Sequence, residues 1–185
     1  MPASMFPLAR LAALTLVPAL VLTGSPAHAE RADRNQTVNI EADRVNVDDR
    51  NKVHIFEGNV VLTQGTLTIK GDKLVVTQDA DGFQKGVTTA TGKRLATFRQ
   101  KREGADTWVN GEAERIEYDS HTERARLFNR AHVKSGGDEV SGHYIEYDAT
   151  SENYLVTNNS AGNAHPDGRV KVTIPPKSSN QPPAP

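Results

Sequence analysis

A short pattern of polar and apolar residues occurs four times in the chain, and its spacing divides the sequence into two similar halves. The copies are Ala42–Asp48, Gly71–Thr77, Ala113–Asp119 and Gly142–Asp148. In each copy a small residue precedes two mostly polar positions, which are followed by apolar-x-apolar and a turn-forming residue. The first and third copies are 71 residues apart, and so are the second and fourth. The spacing predicts two half-domains that each contain the unit twice.

The residues around these copies predict an all-β fold. Apolar and polar side chains alternate with a period of two, which is typical of half-buried strands. From residue 30 onward the chain has 15 Val, 6 Ile and 14 Thr against 6 Leu, and β-branched residues favour strands. No proline occurs between Glu30 and His165. Short strands with regular turns indicate stacked hairpins, a jelly roll or a β-solenoid, with a bulge or tight corner at each small residue.

The first 29 residues have the features of a secretory signal. An apolar run of about a dozen residues, from 11 to 22, is too short to span a bilayer, which takes about 20. Ala27-His28-Ala29 follows as a small-x-small cleavage site. We therefore expect a cleaved signal peptide at 1–29, a β domain at 30–174 and a disordered proline-rich tail at 175–185. A periplasmic or secreted location follows from the signal.

Composition and motifs argue against several classes of function. The chain has 22 basic and 23 acidic residues, whereas nucleic-acid binders normally have a basic excess. It has no cysteine, and its histidines form no H-x-H or H-E-x-x-H pair, so we expect no metal and no cofactor. Asp48, Asp119 and Asp148 occupy turn positions, which favours a capping role over an acid-base role. The sequence predicts a protein that is not an enzyme.

Basic residues recur at equivalent places in three of the four copies, each beside an acidic residue. These pairs are Arg44 with Asp43, Lys73 with Asp72, and Arg115 with Glu114. They allow a basic rim for phosphate or a charge ladder on a solvated sheet face. The acidic neighbours favour the ladder.

One set of apolar positions is expected to face a common interior. Its members are Val38, Ile40, Val47, Phe56, Val60, Leu62, Leu67, Ile69, Leu74, Val76, Phe98, Ile116, Tyr118, Leu127, Ile145 and Tyr147. Two interpretations remain open at this point. The interior is either an ordinary closed core or a groove for acyl chains, in which each buried methylene contributes about 0.8 kcal/mol.

The stretch 56–77 resembles the LptA-type, or OstA-like, family of periplasmic lipopolysaccharide-transport proteins. It contains Gly58-Asn59-Val60, Thr63-Gln64-Gly65 and Ile69 in the family's order. Residues 93–98 and 111–118 are similar to the family's second half, and the resemblance covers roughly 37–174. It implies a twisted, V-shaped β-jelly roll of short antiparallel strands, with lipid A chains held in the apolar interior. Val38, Ile40, Phe98 and Tyr118 would then be among the lipid-facing residues.

The resemblance also implies partners. Family members join head to tail through edge strands and bridge an LptC-like inner-membrane protein to an LptD-like outer-membrane protein. The joining strands here would consist of Val38, Asn39 and Ile40 at one end and of Val170, Lys171, Val172, Thr173 and Ile174 at the other. Pairing between two different edges does not close, so it produces filaments. The competing hypothesis is a structural or adhesive β-repeat protein with a closed core.

Overall fold

The computed structural model describes residues 33, 35–80, 82–102, 105–160, 163–164 and 169–176. The predicted signal peptide (1–29) and residues 177–185 of the predicted tail lie outside the described residues. Pro175, the first residue of that tail, lies close to Gly137, whose added Cβ would be 2.7 Å from the proline Cγ.

The described chain is built from β-strands, as the alternating pattern predicts. The strands are β1 (Val38–Glu41), β2 (Arg44–Asp48), β3 (Val53–Gln64), β4 (Leu67–Asp79), β5 (Gly82–Thr89), β6 (Ala96–Lys101), β7 (Trp108–Ala113), β8 (Arg115–Asp119), β9 (Arg124–Ser135), β10 (Asp138–Asp148), β11 (Asn153–Thr157), β12 (Asn159–Ser160), β13 (Asn163–Ala164) and β14 (Lys171–Thr173). Strands β12 and β13 form a small hairpin, and the other twelve strands belong to one antiparallel sheet. The fold is a β-jelly roll.

Six strands close into a ring at the centre of the molecule. Strand β4 pairs with both β5 and β6, β9 pairs with both β7 and β8, and the ring is completed by the pairs β5–β8 and β6–β7. The long strands can belong to two layers because each has a bend near its middle. Residues 68–70 of β4 pair with β6, whereas residues 73–79 pair with β5. We call the two layers the β5–β8 layer and the β6–β7 layer.

Small residues and local backbone irregularities mark the bends. In β3 the register shifts between Glu57 and Val60, where Gly58 and Asn59 have positive φ. The equivalent bend of β9 contains Asn129 and Arg130, which also have positive φ. The predicted register shifts at small residues are confirmed, and each is either a break between two strands or a bend within one strand. Ala42 and Ala113 lie where one strand ends and the next begins, whereas Gly71 and Gly142 lie inside the continuous bent strands β4 and β10.

The repeat deduced from the sequence is also a repeat of pairing. Strands β1 and β2 pair with β3, β3 pairs with β4, and β4 pairs with β5 and β6. Strands β7, β8, β9, β10, β11 and β14 make the same pairs in the second half. The two halves join because β5 and β6 of the first pair with β8 and β7 of the second.

The interior between the layers is filled by side chains from every strand of the ring. Phe98 of β6 contacts Tyr118 of β8 and Tyr147 of β10, with ring centroids 6.3 Å apart in both pairs. Phe83 extends this aromatic row on one side and Tyr154 on the other. Edge and offset aromatic contacts of this kind stabilise a core beyond their buried area.

The bend of β4 has no room for a side chain at Gly71. An added Cβ there would lie 2.3 Å from the Thr88 hydroxyl and 2.9 Å from the carbonyl oxygen of Thr89. We predict that Gly71→Ala lowers the free energy of unfolding by about 1–3 kcal/mol, since a backbone oxygen cannot rotate away. Urea denaturation measures this, and Lys70→Ala, an exposed neighbour, is the control. Equal midpoints for the two variants would contradict the close approach.

Candidate functional site

The sequence-predicted interior residues fall into two groups in the structure. Twelve are at most 5% exposed and form the closed core of the ring: Val60, Leu62, Leu67, Ile69, Leu74, Val76, Phe98, Ile116, Tyr118, Leu127, Ile145 and Tyr147. The other four, Val38, Ile40, Val47 and Phe56, lie at the end of the molecule formed by the first three strands. Apart from Val76, whose side chain borders the cavity beside the second group, a ligand reaches the first group only if the layers separate. The second group is accessible in the structure as it stands.

An apolar chamber opens at the β1–β2 end, which we call the N-terminal chamber. One cavity of about 320 Å³ is lined by Val38, Ile40, Phe56, Val76 and Phe83, together with the polar side chains of His54 and Gln78. A second cavity of about 460 Å³ shares Val38 and Phe83 with the first and has a more polar lining that includes Gln64 and Ser120. The two cavities are adjacent, and we use the name for both; one lining is mainly apolar and the other mainly polar, which suits an amphipathic ligand.

The polar margin of the chamber includes an atom without a hydrogen-bond partner. His54 Nε2 is buried and neither donates nor accepts a hydrogen bond within the described residues. The carboxylate oxygen Oδ1 of Asp49 lies 3.7 Å away. Ser120, by contrast, donates to the carbonyl oxygen of Phe83 at 2.6 Å. His54 therefore retains a ring nitrogen for a ligand in this chamber.

Exposed apolar side chains cluster at the two ends of the sheet. Val45 and Val47 lie on β2 at one end, and Leu155, Val170, Val172 and Ile174 lie on or beside β11 and β14 at the other. Val45 and Val47 are cross-strand partners of Phe56 and His54, so they continue the interior face beyond β3. At the other end Val172 is the partner of Val140, which packs against the core, whereas Leu155 is the partner of Glu146 and lies on the outer face. The interior surface is therefore uncovered at both ends.

Backbone groups are also unpaired at these ends. Within the part of the chain that the structure describes, strands β1 and β2 pair on one side only, with β3, and strands β11 and β14 pair on one side only, with β10. An edge strand presents a row of N–H and C=O groups that another chain can pair with. The predicted strand at 170–174 is present as Lys171–Thr173, in antiparallel pairing with Glu139–Ser141 of β10.

The outer face of the β5–β8 layer carries the charge ladder that the sequence predicted for Arg44, Lys73 and Arg115. Pairing across strands gives Arg44 and Lys73 a partner other than their sequence neighbours, whereas Arg115 has its partner two residues along its own strand. Glu57 of β3 lies 3.7 Å from Arg44 and 3.2 Å from Lys73, and Arg115 pairs with Glu117. Asp43, Asp72 and Glu114 instead bind Asn59, Arg94 and Arg130 at the bends.

The turn aspartates cap backbone groups, as predicted. The backbone N–H groups of Asn51, Thr122 and Ser151 donate to Asp48, Asp119 and Asp148 respectively, at 3.0–3.1 Å. The bond from Ser151 is the main cause that lowers the pKa of Asp148, and a bond from Arg124 adds to it. Within the described residues no three side chains of the types that bind metals come together.

Sequence reasoning missed several residues that complete the ends. Phe83, His54 and Gln78 line the chamber, and Tyr154 and Val156 face the interior at the other end. Phe83, Tyr154 and Val156 lie in the shorter strands β5 and β11, whose register only the pairing fixes, and His54 and Gln78 are polar, so an apolar pattern does not select them. The small residue Gly86, over which the Phe83 ring packs, is the one local sign that a large side chain lies nearby.

Comparison with known proteins decides the family. A family model described as the lipopolysaccharide transport protein LptA and the N-terminal domain of LptD matches residues 39–153. The chain belongs to this family. The resemblance seen in residues 56–77 is thereby confirmed. Among the described residues we find no helix with the length and apolar character needed to cross a membrane.

Relatives of the LptA family match the chain over most of its length. Lipopolysaccharide export system protein LptA from Haemophilus influenzae is 33% identical over 140 residues, which cover 76% of this chain and 81% of that protein. Lipopolysaccharide export system protein LptH from Pseudomonas aeruginosa is 30% identical over 162 residues, covering 86% and 91%. The crystal structure of that LptH, described as a periplasmic component of the transport device, has a TM-score of 0.72 and 25% identity, and covers 78% of this chain and 99% of its own.

The outer ladder makes stability depend on pH in a defined direction. A hydrogen bond from Arg126 lowers the pKa of Glu146 below its ordinary value of 4.5, with smaller contributions from Tyr144 and Arg124. A lowered pKa in the folded state stabilises the fold above pH 4.5, and this stabilisation is lost as the pH falls through the lowered value. We predict that Glu146→Gln costs about 1–2 kcal/mol at pH 7 and almost nothing near pH 2.

Urea titrations of the wild type and Glu146→Gln from pH 7 to pH 2 measure this difference. Glu41→Gln, which removes an exposed carboxylate on an edge strand, is the matched control and should differ little from the wild type throughout the pH range. A Glu146→Gln penalty that stays constant down to pH 2 would show that packing rather than charge is responsible.

Proposed function

We propose that this protein is a periplasmic, non-enzymatic carrier in lipopolysaccharide transport, which shelters lipid A acyl chains in its interior and joins further copies head to tail. The observation that carries the proposal is the coincidence, at each end of the sheet, of uncovered apolar interior and unpaired strand edges. Membership of the LptA family supports the transport role. The predicted signal at 1–29 and the description of LptH as periplasmic support the location.

Acyl chains are expected first in the N-terminal chamber. It is an apolar space between the layers that needs no movement of the ring, and Ile40 and Phe56 form part of its lining. The second candidate is a structural β-repeat protein, which the closed core of the ring would also suit. Under that hypothesis the chamber does not bind lipid. The two functions therefore differ in one measurable property, which is lipid contact at the chamber.

A photoreactive residue at Ile40 or Phe56 should capture lipopolysaccharide, because both line the chamber. The control is Asn46, an exposed residue of β2 that points away from the interior, since its neighbours Val45 and Val47 point towards it. Gel mobility and mass spectrometry of the cross-linked product measure the capture. Lipid captured equally at all three positions, or at none in a folded sample, would support the structural alternative instead.

The internal junction of the two halves supplies the geometry for head-to-tail joining. Strand β14 pairs with β10 in the same way that β6 pairs with β4. Strand β1 likewise pairs with β3 in the same way that β7 pairs with β9. A second copy can therefore pair its β1 and β2 with β14 and β11 in the way that β7 and β8 pair with β6 and β5. The interior then continues from one copy into the next, which suits a bridge between LptC-like and LptD-like partners.

The register of this junction follows from the pairs within the chain. Lys171 pairs with Ser141 as Thr97 pairs with Lys70, so Lys171 occupies the place of Thr97. Thr97 faces Glu112, and Glu41 is the residue 71 positions before Glu112. Lys171 should therefore lie opposite Glu41 of the next copy, which pairs opposite charges across the junction.

The same argument matches the exposed apolar residues. Tyr154 pairs with β10 at the position where Gly86 pairs with β4. Gly86 faces Tyr118, and Val47 is the residue 71 positions before Tyr118. Tyr154 should therefore face Val47 of the next copy. Val172 occupies the place of Phe98 and should face Ile40 of the next copy. Each exposed apolar residue of one end that faces the interior therefore meets an apolar residue of the other end.

Cysteine cross-linking tests the register without background, because the chain contains no cysteine. We predict that the double variant Glu41→Cys with Lys171→Cys forms a ladder of disulfide-linked oligomers on oxidation. Directly opposite residues of antiparallel strands satisfy the spacing that a disulfide needs. Non-reducing electrophoresis measures the ladder, and each single variant should stop at a dimer or remain monomeric.

A second pair distinguishes this register from the one that the sequence repeat alone suggests. A constant offset of 71 residues would place Arg169 opposite Ile40, and so Lys171 opposite Val38. Cross-linking of Val38→Cys with Lys171→Cys in preference to the first pair would move the register by three residues. Absence of a ladder from both pairs would contradict head-to-tail joining through these strands.

A further inference from the structure

An ion pair links the two layers on the side of the jelly roll opposite the bends. Arg102 directly follows β6 in the β6–β7 layer, and Glu152 lies in the turn between β10 and β11, at the far end of the other layer. Arg102 Nε donates to Glu152 Oε1 at 3.1 Å, and a second guanidinium nitrogen donates to Oε2. The pair is therefore bidentate. It holds together the open side, which we call the mouth, through which a ligand would reach the closed core.

The pair is fixed by its surroundings but remains accessible to water. The backbone N–H of Arg102 donates to the carbonyl oxygen of Thr107 at 2.9 Å, and Glu152 is held at a positive φ of 55°. Both side chains are about one-third exposed, at 33% and 32%. The bond to Glu152 is the main cause that raises the pKa of Arg102, with contributions from Tyr154 and Tyr147. The guanidinium thus stays charged where it lies near Tyr154 and Tyr147, at the solvent-exposed end of the aromatic row.

Two buried polar atoms beneath the mouth have no hydrogen-bond partner among the described residues. They are Oε1 of Gln100, a residue only 2% exposed, and Oγ1 of Thr107. Gln100 lies on the same face of β6 as Phe98 and therefore points into the interior. An unpaired polar atom in an apolar interior costs free energy, and a ligand that carries hydrogen-bonding groups next to its acyl chains would recover it.

The chemistry of the mouth fits the headgroup end of an anionic lipid. A guanidinium that binds a carboxylate through two parallel bonds has the geometry to bind phosphate in the same way. Lys101, which adjoins Arg102 and pairs with Asp106 at 2.8 Å, supplies a second cation at this edge. Apolar chains between the layers would leave a phosphate at the level of Arg102, where it competes with Glu152 for the same donors.

We propose that Arg102 is a headgroup-binding residue, which exchanges Glu152 for the phosphate of an anionic lipid when the lipid's acyl chains pass between the layers. The inference rests on the proposed carrier function and adds to it an anion site and a route of access. In the empty protein the ion pair keeps the mouth closed. In the loaded protein Arg102 binds the ligand and Glu152 is released to water.

Substitution of the two partners separates this role from simple closure. Glu152→Gln removes the competing carboxylate and leaves Arg102 free, so binding of phosphorylated lipid A should tighten by roughly two- to fivefold. Arg102→Gln breaks the same ion pair but removes the guanidinium that would bind the phosphate, so binding should weaken by about tenfold. The two variants thus shift the affinity in opposite directions, although both abolish the contact across the mouth.

Trp108 provides the signal for the titration. It is the sole tryptophan of the chain and pairs with Lys101 at the mouth, where the Arg99 guanidinium lies 4.1 Å from its ring. Tryptophan fluorescence is measured during titration with lipid A and with the same lipid after enzymatic removal of its phosphates. With the dephosphorylated lipid the difference between the two variants should disappear. Thermal unfolding confirms that both variants are folded.

Four results would overturn the inference. Equal tightening by both variants would make the ion pair a closure without a role in headgroup binding, and equal affinities for all three proteins would remove it from ligand binding altogether. A difference that persists with the dephosphorylated lipid would exclude phosphate as the exchanged group. Failure of the wild type to bind either lipid would overturn the proposed carrier function itself, and this inference with it.

Discussion

The closed ring of backbone hydrogen bonds through β4, β5, β8, β9, β7 and β6 is the constraint on which the rest of the structure depends. A buried N–H or C=O group without a partner is costly, so a lean interior between two layers is stable only when the strands around it are paired on both sides. Four bent strands meet this requirement by belonging to both layers. Gly71 and Gly142 lie at two of the bends, where the chain passes too close to a neighbouring strand for a side chain.

Closing the middle moves all unpaired edges to the two ends. The same ends carry the exposed apolar side chains. The edge strands keep the alternation of apolar and polar residues, but no further strand covers their apolar face. The internal junction shows how such ends fit together, since the two halves of one chain already meet in this way. The head-to-tail joining that we propose would therefore need no new type of contact.

The interior is not uniform along this axis. The aromatic row of Phe83, Tyr118, Phe98, Tyr147 and Tyr154 fills the central part, whereas the N-terminal chamber is open. A continuous lipid path through one copy therefore requires the layers to separate at the mouth, where Arg102 and Glu152 join them. The sequence predicted one common interior of sixteen residues, either a closed core or a groove, and the structure distinguishes residues at the open chamber from residues in the closed core.

The all-β fold, the division into two halves and the inward face of each strand could be predicted from the sequence, because they depend on local alternation and on small residues at fixed spacing. Leu74, Ile116 and Ile145 could be placed in the interior on that basis alone. Which strands pair with each other, by contrast, became known from the three-dimensional fold. It selected Glu57 rather than Asp72 as the partner of Lys73, closed the ring, and brought Arg102 to Glu152 across fifty residues of chain. Periodicity fixes the direction of a side chain, whereas its neighbour is fixed by long-range register, which local patterns do not encode.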